Sequence, residues 1–248
     1  MGYIRTNGIV IREVNTGEAD KIITILSRSQ GKISAFTKSA RRTKSSLAAG
    51  SQFLCYSDFV LFKGKELYSV NTSDIIESFY EIRNDIVKLT YCAHMVDLLN
   101  DVMQEEQPTT KVLQLFLNTL HMLNKTDKSP ELLVRVFEVR FLTILGYAPQ
   151  VSSCISCGCE EMTELFFSFK ECGILCSDCK KKDPNASKIS TGTAKALQHI
   201  IYSRMRDLYS FSLSDQVLDE LSRFSRKYIK ERFERNYTKL DFLKSLEL

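Results

Sequence analysis

Hydrophobic and polar positions alternate through the first eighty residues and then recur every three or four, so a β-rich segment precedes a helical one. Five strands are expected, over Gly8–Ile11, Lys21–Leu26, Lys32–Phe36, Gln52–Phe62 and Glu66–Asn71. Turn chemistry separates them at Asn15-Thr16-Gly17, Gln30-Gly31 and Lys63-Gly64-Lys65, which argues for antiparallel hairpins. Ser39 to Gly50 breaks the rhythm; rich in serine, alanine and basic residues, it reads as a long exposed loop. Five short antiparallel strands in about 75 residues is the size of an OB-type barrel, a fold that closes its sheet edges and commonly holds oligonucleotides on one face. An SH3-like barrel gives a similar pattern.

After Ser78 the period becomes helical. Ile82, Ile86, Leu89, Ala93, Val96, Leu99 and Met103 predict one long helix ending near Gln107-Pro108. A second helix carries Val112, Leu115, Phe116, Leu120 and Leu123. A third opens at Ser129-Pro130-Glu131, an N-cap followed by proline, and stops at Gly146 and Pro149. Helical pattern returns from Thr193 to Ser203 and again from Ser214, where Val217, Leu221, Phe224 and Tyr228 form a stripe. These stripes read as core packing. The fold class expected is α+β and multidomain: an OB-fold barrel over residues 1–79 and an α-helical domain over 80–248, with a four-cysteine zinc module inserted at 150–184.

The module rests on Cys154-Ile-Ser-Cys157 and Cys176-Ser-Asp-Cys179, two C-x₂-C pairs eighteen residues apart. Leu165–Phe169 and Gly173–Leu175 form a small hairpin that brings the pairs together. Four thiolates suit a tetrahedral Zn²⁺ ion and leave no open position for a water nucleophile, so the metal is expected to be structural. Cys159 and Cys172 are spare ligands, and six clustered cysteines also permit an iron–sulfur cluster. From Val151 to Asp183 four lysines face six acidic residues, which disfavours the module as a phosphate contact.

Charge changes the picture only once its distribution is followed. The chain carries +4 overall, with 44% hydrophobic and 26% charged residues. No acidic residue stands between Asp20 and Asp58, where Lys21, Arg28, Lys32, Lys38, Arg41, Arg42 and Lys44 occur. A basic segment on a slightly acidic body is the distribution of a protein that meets a polyanion. There is no export signal or membrane span, so eight cysteines imply a reducing compartment, the cytoplasm. A phosphate-binding loop, paired histidines and a carboxylate cluster are all missing, so no enzyme chemistry is expected and activity should come from binding.

Taken in order, Gly8-Ile-Val-Ile11, Gly17-Glu-Ala-Asp-Lys21, Gly31-Lys-Ile-Ser34, Lys38-Ser-Ala-Arg-Arg42, Phe137-Glu-Val-Arg-Phe-Leu142, Leu145-Gly-Tyr147, the Cys154–Gly158 stretch and Leu243-Lys-Ser245 resemble the RecO family of bacterial recombination mediators. The resemblance implies an OB-fold, a helical domain and a zinc module. It also implies binding of single-stranded and duplex DNA, annealing of complementary strands, partnership with single-strand-binding protein and RecR, and indirect service to RecA, in the cytoplasm at the nucleoid. The family's basic loop maps onto Lys38, Arg41 and Arg42, to which charge adds Lys32 and Lys44. Bases would stack on Phe36, Phe53, Tyr56 or Tyr68, residues whose other role is barrel core. Two departures stand out: the family usually has glycine at the position of Ser39, and glycine is common near Cys172. The alternative function is a non-catalytic adaptor that recruits repair partners without touching DNA.

Overall fold

The computed structural model describes residues 2–246, with side chains through Leu243; the side chains of Lys244 and Ser245 lie outside the described residues. Five strands, β1 (Tyr3–Thr16), β2 (Asp20–Ser27), β3 (Gly31–Thr37), β4 (Tyr56–Lys63) and β5 (Tyr68–Glu77), close into a barrel in the order β1-β2-β3-β5-β4. Closure depends on β1. Its first half pairs with β4 and its second half with β2, the direction changing at a bulge between Val10 and Arg12. Alternation along β3 sends Ile33 and Ala35 into a core with Val10, Ile23, Ile25, Phe59 and Leu61, while Lys32, Ser34 and Phe36 face outward.

The structure differs from the sequence expectation in the first strand, which runs Tyr3–Thr16 and not only Gly8–Ile11, in the last, which runs Tyr68–Glu77 and not Glu66–Asn71, and in the segment between β3 and β4. Ser39 to Gly50 is a run of tight turns, with Arg42 N–H bonded to Ser39 O and Ser45 N–H to Arg42 O, both at 3.0 Å. Leu47, the segment's one large apolar residue, plugs the barrel core, so the backbone is packed down even though its cations stay in solvent. That packing continues to Leu54, whose φ of 61° turns the chain, and β4 therefore starts at Tyr56 instead of Gln52.

The long helix expected from Ile82 to Met103 is two helices, α1 (Tyr80–Asn84) and α2 (Ile86–Val102). Asp85 divides them. Its backbone is extended and its carboxylate accepts from Val87 N–H at 2.9 Å and Lys88 N–H at 3.0 Å, an N-cap that starts a new helix. Next come α3 (Thr110–Lys125) and α4 (Pro130–Ile144), the latter capped by Ser129. Beyond them lie β6 (Leu165–Ser168), β7 (Gly173–Cys176), β8 (Ser187–Ile189), α5 (Thr191–Tyr202), α6 (Asp215–Phe233) and α7 (Asp241–Leu246). Among the described residues no helix is long and apolar enough to cross a membrane.

The chain forms two compact units, Met1–Thr126 with Lys239–Leu248, and Asp127–Thr238. In the first, Thr109 Oγ1 donates to Ser27 O at 2.7 Å and Lys32 N–H to Gln104 O at 3.1 Å, fastening the α2–α3 connection to the barrel. In the second, α4 is buried on nearly every side, and Phe167 and Phe169 of the small sheet pack on Phe224 and Tyr228 of α6.

Candidate nucleic-acid interface and cysteine cluster

Lys38, Arg41, Arg42 and Lys44 are exposed on the turn-rich segment after β3. The segment is pinned to the β1–β2 turn by four hydrogen bonds, the longest from the Arg41 guanidinium to Gly17 O at 3.5 Å. Ser39 N–H donates to Asp20 Oδ1 at 2.6 Å, Arg41 N–H to Ala19 O at 2.9 Å, and the Arg41 guanidinium to Glu18 O at 3.1 Å. Two stretches distant in sequence, Gly17–Lys21 and Lys38–Arg42, thus form one structural unit. The participation of Asp20 and of the 17–19 carbonyls is not visible in charge or periodicity; the only signal in the sequence is that both stretches are intact together. Beside them opens a cavity of about 630 Å³ lined by Lys21, Arg41, Arg42, Glu13, Asn15 and Gln52. Lys21 is bonded to Glu13 at 2.7 Å, which leaves Arg41 and Arg42 as the lining cations without a carboxylate partner among the described residues; Lys44, outside the lining, has none either.

Lys32 lies elsewhere. It projects from the outer face of β3, half-buried, and its ammonium donates to the carbonyl of Asn100 near the C-terminal end of α2, where a cation is electrostatically favoured. It lines a separate groove of about 800 Å³ with Arg12, Ser34, Phe53, Asp97 and Asp101. The four aromatic candidates divide similarly. Phe36 shares the outer face with Ile22 and Val14 through the register Val14↔Ile22↔Phe36. Phe53 and Tyr56 are half-buried, and Tyr68 packs against the barrel core with Lys63 Nζ 5.9 Å from its ring centroid.

The second feature is the cysteine cluster. The β6–β7 register, Leu165↔Cys176 to Ser168↔Gly173, brings Cys154, Cys157, Cys176 and Cys179 together with all four sulfurs within 4.8 Å of one another. Cys157 Sγ and Cys176 Sγ are 3.8 Å apart. A tetrahedron built on metal–sulfur bonds of about 2.3 Å has edges of about 3.8 Å, so the donor set fits a Zn²⁺-sized ion. Burial pushes the Cys154 thiol up, but N–H groups of Cys176, Cys157 and Ser156 aimed at its sulfur outweigh burial and hold it at about 6. Cys179 is pushed up to about 11: the nearby Ser156 hydroxyl lowers it, and desolvation with the three neighbouring thiols overrides that. Thiolates this close repel one another, and a cation between them relieves the repulsion. Cys172 stands apart, with Arg232 Nη1 at 3.0 Å from its sulfur, and Cys159 packs beside the cluster without joining it.

Comparison with known proteins agrees with the order of these parts. Residues 1–79 match the Recombination protein O N terminal family and residues 83–241 the Recombination protein O C terminal family. The chain belongs to the RecO family. It is 61% identical to the DNA repair protein RecO of Acetivibrio thermocellus over all of this chain and 98% of that one. It is 35% identical to the DNA repair protein RecO of Caldicellulosiruptor saccharolyticus over the full length of both. With its namesake in Alkaliphilus metalliredigens it shares 35% identity over 98% of this chain and 99% of the other. In RecO terms, the closed barrel is the N-terminal family region, and the cysteine cluster lies within the C-terminal one.

Proposed function

We propose that this member of the RecO family is a recombination mediator in DNA repair that works by binding and without covalent chemistry. It holds single-stranded and duplex DNA, anneals complementary strands, and helps RecA onto DNA coated with single-strand-binding protein, acting with RecR in the cytoplasm at the nucleoid. The observation that carries this reading is the cluster of exposed cations, Lys38, Arg41, Arg42 and Lys44, on a segment tied to the β1–β2 turn. A surface held in place loses little entropy when phosphates arrive, and each neutralised phosphate releases counterions. Two strands screened in this way repel each other less, and base pairing can nucleate between them. Zn²⁺ on Cys154, Cys157, Cys176 and Cys179 holds the small sheet together as a structural ion.

The test is the annealing rate of complementary oligonucleotides coated with single-strand-binding protein. The parent is compared with Arg42→Ala/Lys44→Ala, which removes charge but leaves the Asp20 and Arg41 tether. Each phosphate contact on duplex adds about 0.9 to the slope of log affinity against log salt, so the variant, short of two, should have a slope shallower by about 1.8 and anneal slowly. Folded parent protein that neither binds DNA nor anneals it would instead support an adaptor that touches only repair partners.

A further inference from the structure

The second compact unit carries a cationic surface that the proposed function does not use. Summed over the cysteine module, charge is acidic, with Glu160, Glu161 and Glu164 before β6 and Glu171, Asp178 and Asp183 interspersed among the lysines. Glu164 is bonded to Lys188 at 2.5 Å. Lysines gather at the tip of the β6–β7 hairpin and along α6. Phe167 and Phe169 seat that tip on α6 with ring centroids 4.7 Å and 5.6 Å from Phe224, and Lys227 Nζ lies 4.1 Å from the Phe169 centroid. Lys180–Lys182 forms a single 3₁₀ turn, and Asp183 behind it is bonded to Ser168 Oγ at 2.6 Å, which draws the turn toward the same tip. The Ser168 bond is the chief reason the Asp183 carboxyl lies below the ordinary range, and both Lys170 and Lys227 are near enough to lower it further.

Of the other exposed cations of this unit, Lys188 pairs with Glu164, Arg206 with Asp207 and Arg223 with Asp219, whereas Lys195 and Arg204 have no ion pair among the described residues. Lys181, Lys182, Lys227 and Lys230 have no ion pair among the described residues. Lys170 meets Glu171 only at 3.7 Å, with its side chain 81% exposed, a pairing that contributes almost nothing in water. Lys227 and Lys230 stand three residues apart on the solvent side of α6, and so share one face. Ammoniums without an ion pair repel one another where they stand close, and a polyanion relieves that repulsion.

We propose that Lys170, Lys181, Lys182, Lys227 and Lys230 form a second binding surface for the phosphodiester backbone of nucleic acid, distinct from the barrel's basic segment. Scattered lysine heads form no arginine fork, so they suit a densely charged polymer that binds through counterion release better than an acidic peptide, which carries no condensed counterion layer. The inference rests on the DNA-handling reading and gives it a mechanism, because one chain with two phosphate surfaces can hold two strands at once.

The experiment uses full-length, metal-loaded protein. Lys227→Gln/Lys230→Gln and Lys181→Gln/Lys182→Gln are compared with the parent and with Arg42→Ala/Lys44→Ala, all checked for native circular dichroism and metal content. Binding to a short duplex is followed by anisotropy across a fourfold salt range, together with energy transfer between two non-complementary labelled oligonucleotides. Each lysine pair should lower the salt slope by about 1.8, so the affinity lost across that range shrinks by about 12-fold relative to the parent. Energy transfer between the two strands should disappear while binding of one strand persists. Unchanged slope and unchanged transfer in both lysine variants would overturn the proposal, and so would an unchanged slope with lost binding of a polyglutamate peptide. Lysine variants that lose the slope while the Arg42/Lys44 variant keeps it would support the second surface and discard the first; a parent that binds no DNA ends both.

Discussion

At the scale of single residues, the departures from the family's usual sequence acquire a physical reason. Ser39 has a φ of 54° and Cys172 a φ of 58°, the left-handed region where a Cβ crowds the following carbonyl and glycine is at ease. The resemblance implied glycine at or near both positions, but not why, since backbone dihedrals leave no periodic trace. In Ser39 the strained conformation is held by the bond to Asp20. Ser39→Gly should therefore raise stability by about 0.5–1 kcal/mol, the strain relieved being partly offset by a more flexible unfolded chain. A urea midpoint that moves up with unchanged slope checks it; a midpoint that falls would show that the Ser39 side chain contributes more than its backbone costs.

At the scale of elements, strand alternation and helical stripes were legible because one face of each element is buried. What they missed are polar groups on buried faces. Asp85, which splits the expected first helix, reads as an ordinary surface residue until its cap geometry is known. In α4, Arg135 and Glu138 are charged yet almost fully buried. Arg135 donates twice to Glu138 at 2.9 Å and once to Ser222 of α6 at 3.1 Å, and Ser225 donates to Glu138 at 2.5 Å. Arg135→Met strands a buried carboxylate and should cost about 3–5 kcal/mol, whereas Arg135→Met/Glu138→Met should recover most of it. Chemical denaturation of the three proteins decides this, and a double variant no more stable than the single one would mean that the pair itself contributes net stability.

The α5–α6 seam supplies a pH-dependent counterpart. Glu220 accepts from Ser190 Oγ at 2.5 Å, Thr193 Oγ1 at 2.6 Å and Ser190 N–H at 3.0 Å, where Ser190 is the N-cap of α5. Desolvation pushes its carboxyl up, but these hydrogen bonds outweigh it and the net shift is downward. A folded-state value below the unfolded one stabilises the protein above the ordinary glutamate range and is lost as pH falls through the folded value. Glu220→Gln should thus cost about 1 kcal/mol near neutrality, after allowance for partial exposure, and nothing in strong acid. Thermal melts of parent and variant should converge as pH is lowered; a constant gap would assign the effect to shape and not charge.

At the scale of the whole molecule, the order of barrel, helices and cysteine module was readable because each has its own local code. Which helices share a compact unit with the barrel was not, since long-range bonds such as Thr109 to Ser27 decide it and no local pattern encodes them. The cysteine module has little apolar support of its own. Its cluster consists of Cys154, Leu175, Cys176, Cys179 and Ala186, with Cys159, Met162 and Phe166 half-buried against it. A core this small cannot offset the chain entropy of its loops, so a bound metal ion, contributing on the order of 10 kcal/mol, should be what keeps it folded. Chelation at neutral pH should abolish amide protection across Leu165–Ser168 and Gly173–Cys176 while Ile23, Ile25 and Phe59 of the barrel core stay protected. Cys154→Ser should reproduce that pattern without chelator, and Cys159→Ser and Cys172→Ser should leave metal stoichiometry unchanged. Hydrogen exchange with metal analysis reads both, and a sheet that stays protected after the metal is removed would show that its packing on Phe224 and Tyr228 suffices, leaving the four cysteines a role other than support.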